Sequence, residues 1–199
     1  MESINLNGSF SLAQTMECGQ CFRWEALEDG TYTGVVSGVV YRLRQNHDTL
    51  QCAFSKGGST EFISKYLDLD RDYDAIRRAV SINEYMKTVS DFGYGIRILR
   101  QEPWEALCSF IISQCNNIPR IKSIISRLCV ALGEEISFER EKYFSFPSAE
   151  KIARLEVSDL DFLRSGYRAP YIIGAARAVF EGKLDLESLR DMNTSEGKE

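Results

Sequence analysis

Long apolar runs are missing from this chain. No stretch of about 18 consecutive apolar residues occurs, so nothing in it reads as a membrane span. The opening MESINLNGSF lacks the basic-then-apolar layout of a secretory leader. That absence points to an intracellular chain whose six cysteines stay reduced. Histidine occurs once, at position 47, and no second Cys-x-x-Cys follows the one at Cys18 and Cys21. Positive charge is in deficit: 24 Lys and Arg against 29 Asp and Glu give a net charge of −5. A wholly basic nucleic-acid binder is thereby excluded, but a local basic stripe is not, because binding depends on where charge sits. Internal repeats and low-complexity tracts are absent, and the terminal NTSEGKE is polar and expected to be loose.

What is present suits an ordinary globular protein. Of 199 residues, 44% are hydrophobic and 27% charged, enough to bury a core without metal or disulfide staples. TYTGVV, VVYRLR and TLQCAF are short β-rich runs separated by the turn signals Asp29-Gly30, Ser37-Gly38 and QNHD. Period-two alternation puts Tyr41 and Leu43 on one face and Arg42 and Arg44 on the other. It also aligns Leu50, Cys52 and Phe54, which makes Cys52 a core residue. Beyond Gly57-Gly58 the spacing becomes helical. STEFISKYLDL is followed by SINEYMKTVSDF, with Ser81 and Glu84 as a capping box. Pro103 opens a helix with Cys108, Ile111, Ile112 and Cys115 on one face. Asn117 caps the next helix, with Ile121, Ile124, Ile125, Leu128 and Leu132 along one side and Gly133 at its end. AEKIARL, SDLDFLRS and APYIIGAARAVFEG are further helical segments, and Asp185 caps a last one, LESLRD. Strands first and helices second predict an α+β chain.

The pair in MECGQCFRW raises the question of metal or redox chemistry. Taken as a strand, CGQCFRW points residues three apart to opposite faces, so Cys18 and Cys21 cannot grip one ion. Zinc would need two more ligands, and His47 sits in a turn where a solvated role suffices. A thioredoxin-type pair belongs at a helix N-terminus, which FRWEAL does not resemble. No metal and no cofactor is therefore expected. The glycine between the cysteines is the more informative residue: inside an extended run it signals a bulge or a close approach to the backbone.

Two polar stretches interrupt the helical half. SQCNNIPR serves as a helix–helix turn, or else it offers Ser113, Gln114 and Asn116 beside Arg120 as an anion contact at a helix end. SGYRAPY is a surface turn, or else it sets the Tyr167 ring beside the Arg168 guanidinium in a way that suits nucleic acid.

In order and spacing, GQCFRW, LRQEPWEALCSFIISQCNNIPRIKSIISRLC, FPS and GYRAPY resemble the 8-oxoguanine DNA glycosylases of the helix–hairpin–helix superfamily, over nearly the whole chain. The resemblance implies an antiparallel β domain over residues 1–70 and a helical domain over 71–199. It implies base-excision repair: 8-oxoguanine is flipped from duplex DNA and excised, and a lysine Schiff base permits strand cleavage. Gly19 matches the glycine whose carbonyl accepts the N7 hydrogen that 8-oxoguanine has and guanine lacks. Tyr167 matches the wedge residue, and Arg168 and Arg120 match the residues that contact the orphaned cytosine. Cys115, Asn116 and Asn117 occupy a run of three asparagines and are expected to face DNA. With a thiol replacing an amide at Cys115, the preference for cytosine opposite the lesion is expected to be weaker.

The family's hairpin of the type L-P-G-V-G and the lysine after it have no counterpart in these residues, and Lys198 lacks that context. The chain is expected to stop before that segment and to be inactive by itself. A second expectation, from a different class, is a non-catalytic DNA-binding or interaction module that kept the lesion-reading part; a thiol-redox or zinc protein is a third.

Overall fold

The alternation in residues 32–54 becomes the middle of a five-stranded antiparallel sheet. β1 (Glu2–Asn5), β2 (Trp24–Ala26), β3 (Tyr32–Val36), β4 (Val39–Asn46) and β5 (Thr49–Phe54) are arranged β1-β5-β4-β3-β2. Leu43 lies opposite both Tyr32 and Cys52, and Tyr41 opposite both Gly34 and Phe54. Tyr41, Leu43, Leu50 and Cys52 are all fully buried, as period two requires. On the other face Arg42 pairs with Glu139 and Glu141. These acids belong to a hairpin of β6 (Glu135–Phe138) and β7 (Glu141–Phe144), which sets Phe138 against Val35 and Val40. Its strands are four residues long and charged, so the sequence pattern does not reveal them.

The computed structural model describes residues 1–190, Met192 and Ser195; Lys198 and, Ser195 apart, the rest of NTSEGKE lie outside the described residues. The chain forms two compact units, Met1–Gln101 with Ile136–Tyr143, and Glu102–Glu135 with Phe144–Glu199. Besides its strands, the first unit holds α1 (Leu12–Glu17), α2 (Thr60–Tyr66), α3 (Tyr73–Val80) and α4 (Glu84–Phe92). The short α1 has no sequence periodicity to announce it and starts on a Ser11 cap. At α4 the Ser81–Glu84 capping box does not form. Asn83 caps the helix instead, accepting from Met86 N, because the Ser81 hydroxyl donates to Arg77 O and closes α3. Neither α3 nor α4 buries a residue, although both are amphipathic.

In the second unit α5 (Pro103–Ser113) begins on Pro103, and α6 (Ile118–Leu132) on its Asn117 cap. Cys108 and Ile112 of α5 are buried, as are Ile121, Ile124, Ile125 and Leu128 of α6. Cys115 departs from the expected apolar stripe: α5 ends at Ser113, and Cys115 is exposed beyond it. Gly133 ends α6 with an ordinary φ of −77. Its glycine is required by a close approach, since a Cβ there would lie 2.1 Å from Ser145 O. α7 (Ala149–Ala153) and α8 (Ala169–Phe180) pack together, and α8 also contacts α5. SDLDFLRS forms a 3-10 helix over Val157–Leu163 rather than an α-helix; Leu160 and Leu163, three apart, both turn inward. LESLRD contributes only a 3-10 turn at Ser188–Arg190, with the Asp185 carboxylate accepting from Glu187 N and Ser188 N. No helix among the described residues is long and apolar enough to cross a membrane.

Candidate nucleic-acid interface

The segment CGQCFRW does not extend into a strand. α1 ends at Glu17, Cys18 caps it, Gly19 turns left-handed at φ +86, and the next strand begins only at Trp24. Contrary to the strand expectation, Cys18 and Cys21 do not lie on opposite faces of a strand. Burial separates them: Cys18 is exposed and donates to Thr15 O, while Cys21 is buried. Among the described residues no three His, Cys, Asp or Glu side chains gather into a metal-binding group.

Gly19 is exposed, and a Cβ built on it meets nothing within 4 Å. Handedness, not crowding by the chain, is what requires glycine here. The following residue fixes the loop. Gln20 donates through Nε2 to Thr15 O at 3.2 Å and to Arg97 O at 2.7 Å, and its Oε1 accepts from Leu99 N at 2.9 Å. Gln101 Nε2 in turn donates to Gln20 O at 2.7 Å. One amide thus spans the end of α1 and the extended 97–101 segment, satisfying backbone groups that neither element satisfies alone.

Behind this brace lies Arg97, 1% exposed, with its guanidinium 4.1 Å from the Tyr73 ring centroid and 5.9 Å from that of Phe10. Two of its nitrogens, Nε and Nη1, have no hydrogen-bond partner. Burial pushes its pKa below the usual arginine value, opposed by Tyr73, Asp74 and Asp68. The aromatic faces supply part of the stabilisation that hydrogen bonds do not. Neither Gln20 nor Arg97 is marked out by charge pattern or periodicity; Gln20 is visible only as a member of the GQCFRW motif.

The second unit carries the other expected residues. Tyr167 and Arg168 lie in a 3-10 turn, Gly166–Arg168, entered through Gly166 at φ +62. Their exposures differ sharply: Tyr167 is 57% exposed and Arg168 only 4%. The Arg168 guanidinium lies 4.5 Å from the Tyr167 ring centroid. Its Nε and Nη2 donate to Gln114 O, Nη2 also to Cys115 O at 3.1 Å, and Nη1 to Ser165 O at 3.0 Å. The Tyr167 hydroxyl donates to the same Gln114 O at 3.3 Å, and the ring meets Tyr171 edge-on.

Around the corner, Asn116 Nδ2 donates to Ile112 O at 2.9 Å, and Asn117 Oδ1 accepts from Arg120 N at 3.1 Å. Arg120 is exposed and donates from Nη2 to Arg164 O at 3.2 Å. Tyr167, Arg168, Arg120, Cys115, Asn116 and Asn117 thus surround one helix–turn–helix corner. Gly19 belongs to the first unit, on its own braced loop. Chemically, the corner offers an upstanding aromatic ring and a cation, and the loop offers an exposed backbone.

Known proteins resemble this chain. Residues 3–107 match the family model for the 8-oxoguanine DNA glycosylase, N-terminal domain. The N-glycosylase/DNA lyase of Saccharomyces cerevisiae is 32% identical over 196 residues, covering 90% of this chain and 52% of the yeast protein. Among solved structures, that of MBOgg1 in complex with a low-affinity DNA ligand superposes with a TM-score of 0.90 at 40% identity, covering 98% of this chain and 68% of that one. The Clostridium acetobutylicum 8-oxoguanine glycosylase/lyase, in complex with double-stranded DNA containing cytosine opposite 8-oxoG, gives 0.88 at 32% identity, covering 99% and 71%. The chain spans about half the length of the curated relatives it matches.

Proposed function

We propose, from the premise that this chain belongs to the 8-oxoguanine DNA glycosylase family, that it carries the lesion-reading and duplex-wedging part of base-excision repair. Its partner is duplex DNA containing oxidised guanine. The relatives' names and the DNA in their structures support that reading. The observation that carries it is the Tyr167 ring, 57% exposed above a turn whose Gln114 carbonyl is hydrogen-bonded by the Tyr167 hydroxyl and the Arg168 guanidinium. An apolar ring held out in solvent fits a vacated position in a base stack, and Arg120 and Arg168 are the cations of the same corner. Gly19, on its own loop of the first unit, offers a backbone that a flipped base can approach without meeting a side chain. An 8-oxoguanine donates its N7 hydrogen to a carbonyl there, whereas guanine leaves that carbonyl unpaired, which disfavours the wrong base.

Excision and strand cleavage by a lysine Schiff base are the reaction of the complete family protein. No lysine forms part of the braced loop or the Tyr167 corner, and we assign these residues no nucleophile. Borohydride trapping on an 8-oxoguanine duplex tests that assignment: no adduct is expected, and a covalent adduct would overturn it.

Binding is tested by fluorescence anisotropy on matched, abasic-site and 8-oxoguanine duplexes at two salt concentrations. Tyr167→Ala is expected to weaken binding to abasic duplex by about 1–3 kcal/mol and to matched duplex less. Affinity should fall as salt rises, through counterion release. A second reading, an interaction module, is favoured by one observation: Tyr85 and Phe92 of α4 are 76% and 84% exposed. Equal affinity of wild type and Tyr167→Ala for every duplex would put that reading ahead.

A further inference from the structure

Four guanidiniums, those of Arg120, Arg127, Arg164 and Arg168, converge on the turn that leads into Tyr167. Three of them bind consecutive carbonyls. Arg127 donates from Nε to Leu163 O at 3.1 Å, Arg120 from Nη2 to Arg164 O at 3.2 Å, and Arg168 from Nη1 to Ser165 O at 3.0 Å. The fourth belongs to the turn itself: Arg164 is exposed, and its side chain has no hydrogen-bond or ion-pair partner among the described residues. None of the four pairs with a carboxylate among those residues. In a chain of net charge −5, positive charge is gathered here without neutralisation. We propose that Arg164 is a phosphate contact: it binds the DNA backbone beside the stack position that Tyr167 fills.

A structural arginine at this place would cap its helix. Arg164 is the C-terminal cap of the 3-10 helix Val157–Leu163, and a cation there ordinarily turns its donors onto the last carbonyls. Those carbonyls are already taken by Arg127 and Arg120. Nor do the neighbouring acids hold it. The Asp159 carboxylate accepts from Glu156 N, and Asp161 accepts from Arg164 N through its backbone carbonyl. Backbone geometry gives a second reason. Arg164 is left-handed at φ +51, a conformation that glycine takes freely and a long side chain does not. With no bond inside the chain to offset that strain, a use outside it accounts for the side chain. Place gives a third. Gly166 turns left-handed again at φ +62, and the exposed Tyr167 follows at once. A duplex whose stack the ring enters lays its sugar–phosphate chain within reach of the same turn. The planar fork of an arginine matches phosphate oxygens, and the guanidiniums of Arg120 and Arg127 add their charge to the field while their donors hold the turn.

This contact rests on the DNA reading given under Proposed function, and the experiment separates the two. Anisotropy on matched and abasic duplexes is followed over a salt series, with urea unfolding of each variant alongside. Arg164→Gln removes the charge and keeps a long side chain in the strained conformation. It should weaken both duplexes alike, by about three- to tenfold at low salt, and lower the slope of log affinity against log salt by about one. Arg164→Gly should lose the same affinity and slope yet unfold at the same or a higher urea concentration, because strain leaves together with the contact. Arg164→Lys should keep the slope, since the charge remains. Tyr167→Ala should also keep it and lose mainly abasic-site binding. Wild-type affinity and slope in the Gln and Gly variants would overturn the proposal and leave the DNA reading standing. A loss in Arg164→Gly that Arg164→Gln does not share would overturn it too, by tracing the effect to the backbone. If wild type binds neither duplex, the DNA reading fails and takes the contact with it.

Discussion

Gly19 and Cys115 stand at the same place in two different helices. Each follows the capping residue of a helix C-terminus, Cys18 after α1 and Gln114 after α5, and each turns left-handed, at φ +86 and +49. In both cases a polar side chain from further along the chain binds the backbone around the turn: Gln20 at the first, Arg168 at the second. The difference lies in who bears the strain. Glycine adopts the left-handed conformation freely, and a neutral amide suffices to fix the loop. A cysteine in the same conformation is strained by about 1–2 kcal/mol, and there a buried guanidinium with four hydrogen bonds is found. The first turn presents backbone and the second presents side chains, so only the first must keep its surface bare.

Removing the braces is the strongest way to break this parallel. Gln20→Ala leaves Arg97 O and Leu99 N without partners, and Arg168→Ala does the same to the carbonyls of the second turn. Each is expected to lower stability by about 2–4 kcal/mol, read from urea unfolding. A cost below about 0.5 kcal/mol for either, the level of an ordinary surface change, would show that brace to be dispensable.

Alkaline pH should separate the two regions next. The last residue of α1, Glu17, accepts from the Tyr32 hydroxyl, and burial together with that bond pushes the Tyr32 pKa up to about 12 from 10.0. Burial likewise raises Cys52 to about 11 from 9.0. Both pKa values are higher in the folded state. The stability they add is fully present below the unfolded values and is lost as pH rises through the folded ones. The first unit should therefore weaken between pH 9 and 12, by on the order of 5 kcal/mol. An arginine brace does not titrate there. Trp24 fluorescence in a Trp104→Phe background follows the first unit. Tyr32→Phe should reduce the decline between pH 10 and 12, and an unchanged decline there would remove Tyr32 as a source.

Gly19→Ala meets no steric neighbour, so it isolates the conformational term, about 1–2 kcal/mol of destabilisation by thermal or urea unfolding. A neutral result would mean that the loop relaxes to a right-handed form. The smallest effect carries the opposite sign. Cys115→Gly relieves strain but adds backbone entropy to the unfolded chain, leaving a net gain of about 0.5–1 kcal/mol. Destabilisation by this variant would show that the Cys115 side chain contributes more than its backbone geometry costs.

Much of the molecule is legible in the residues themselves. Period-two alternation placed Tyr41, Leu43 and Cys52 in the core, and period-3.6 spacing placed Ile121, Ile124, Ile125 and Leu128 there, because side-chain direction follows directly from local backbone geometry. Pro103 and Asn117 marked helix starts for the same local reason. The order and spacing of GQCFRW, FPS and GYRAPY point to the family that the match over residues 3–107 shows. Other features were decided only by tertiary structure. CGQCFRW, with nothing to alternate against, became an irregular loop, and the β6–β7 hairpin formed where Phe138 met Val35 and Val40. Ser81 was drawn to close α3 and left the cap of α4 to Asn83, a competition between neighbouring backbone groups that no single window of sequence resolves. The inward turn of Arg168 belongs to the same class. Its partners Gln114 and Cys115 lie more than fifty residues earlier in the chain, and where a guanidinium spends its donors depends on which carbonyls the fold leaves unpaired beside it, not on its neighbours in sequence.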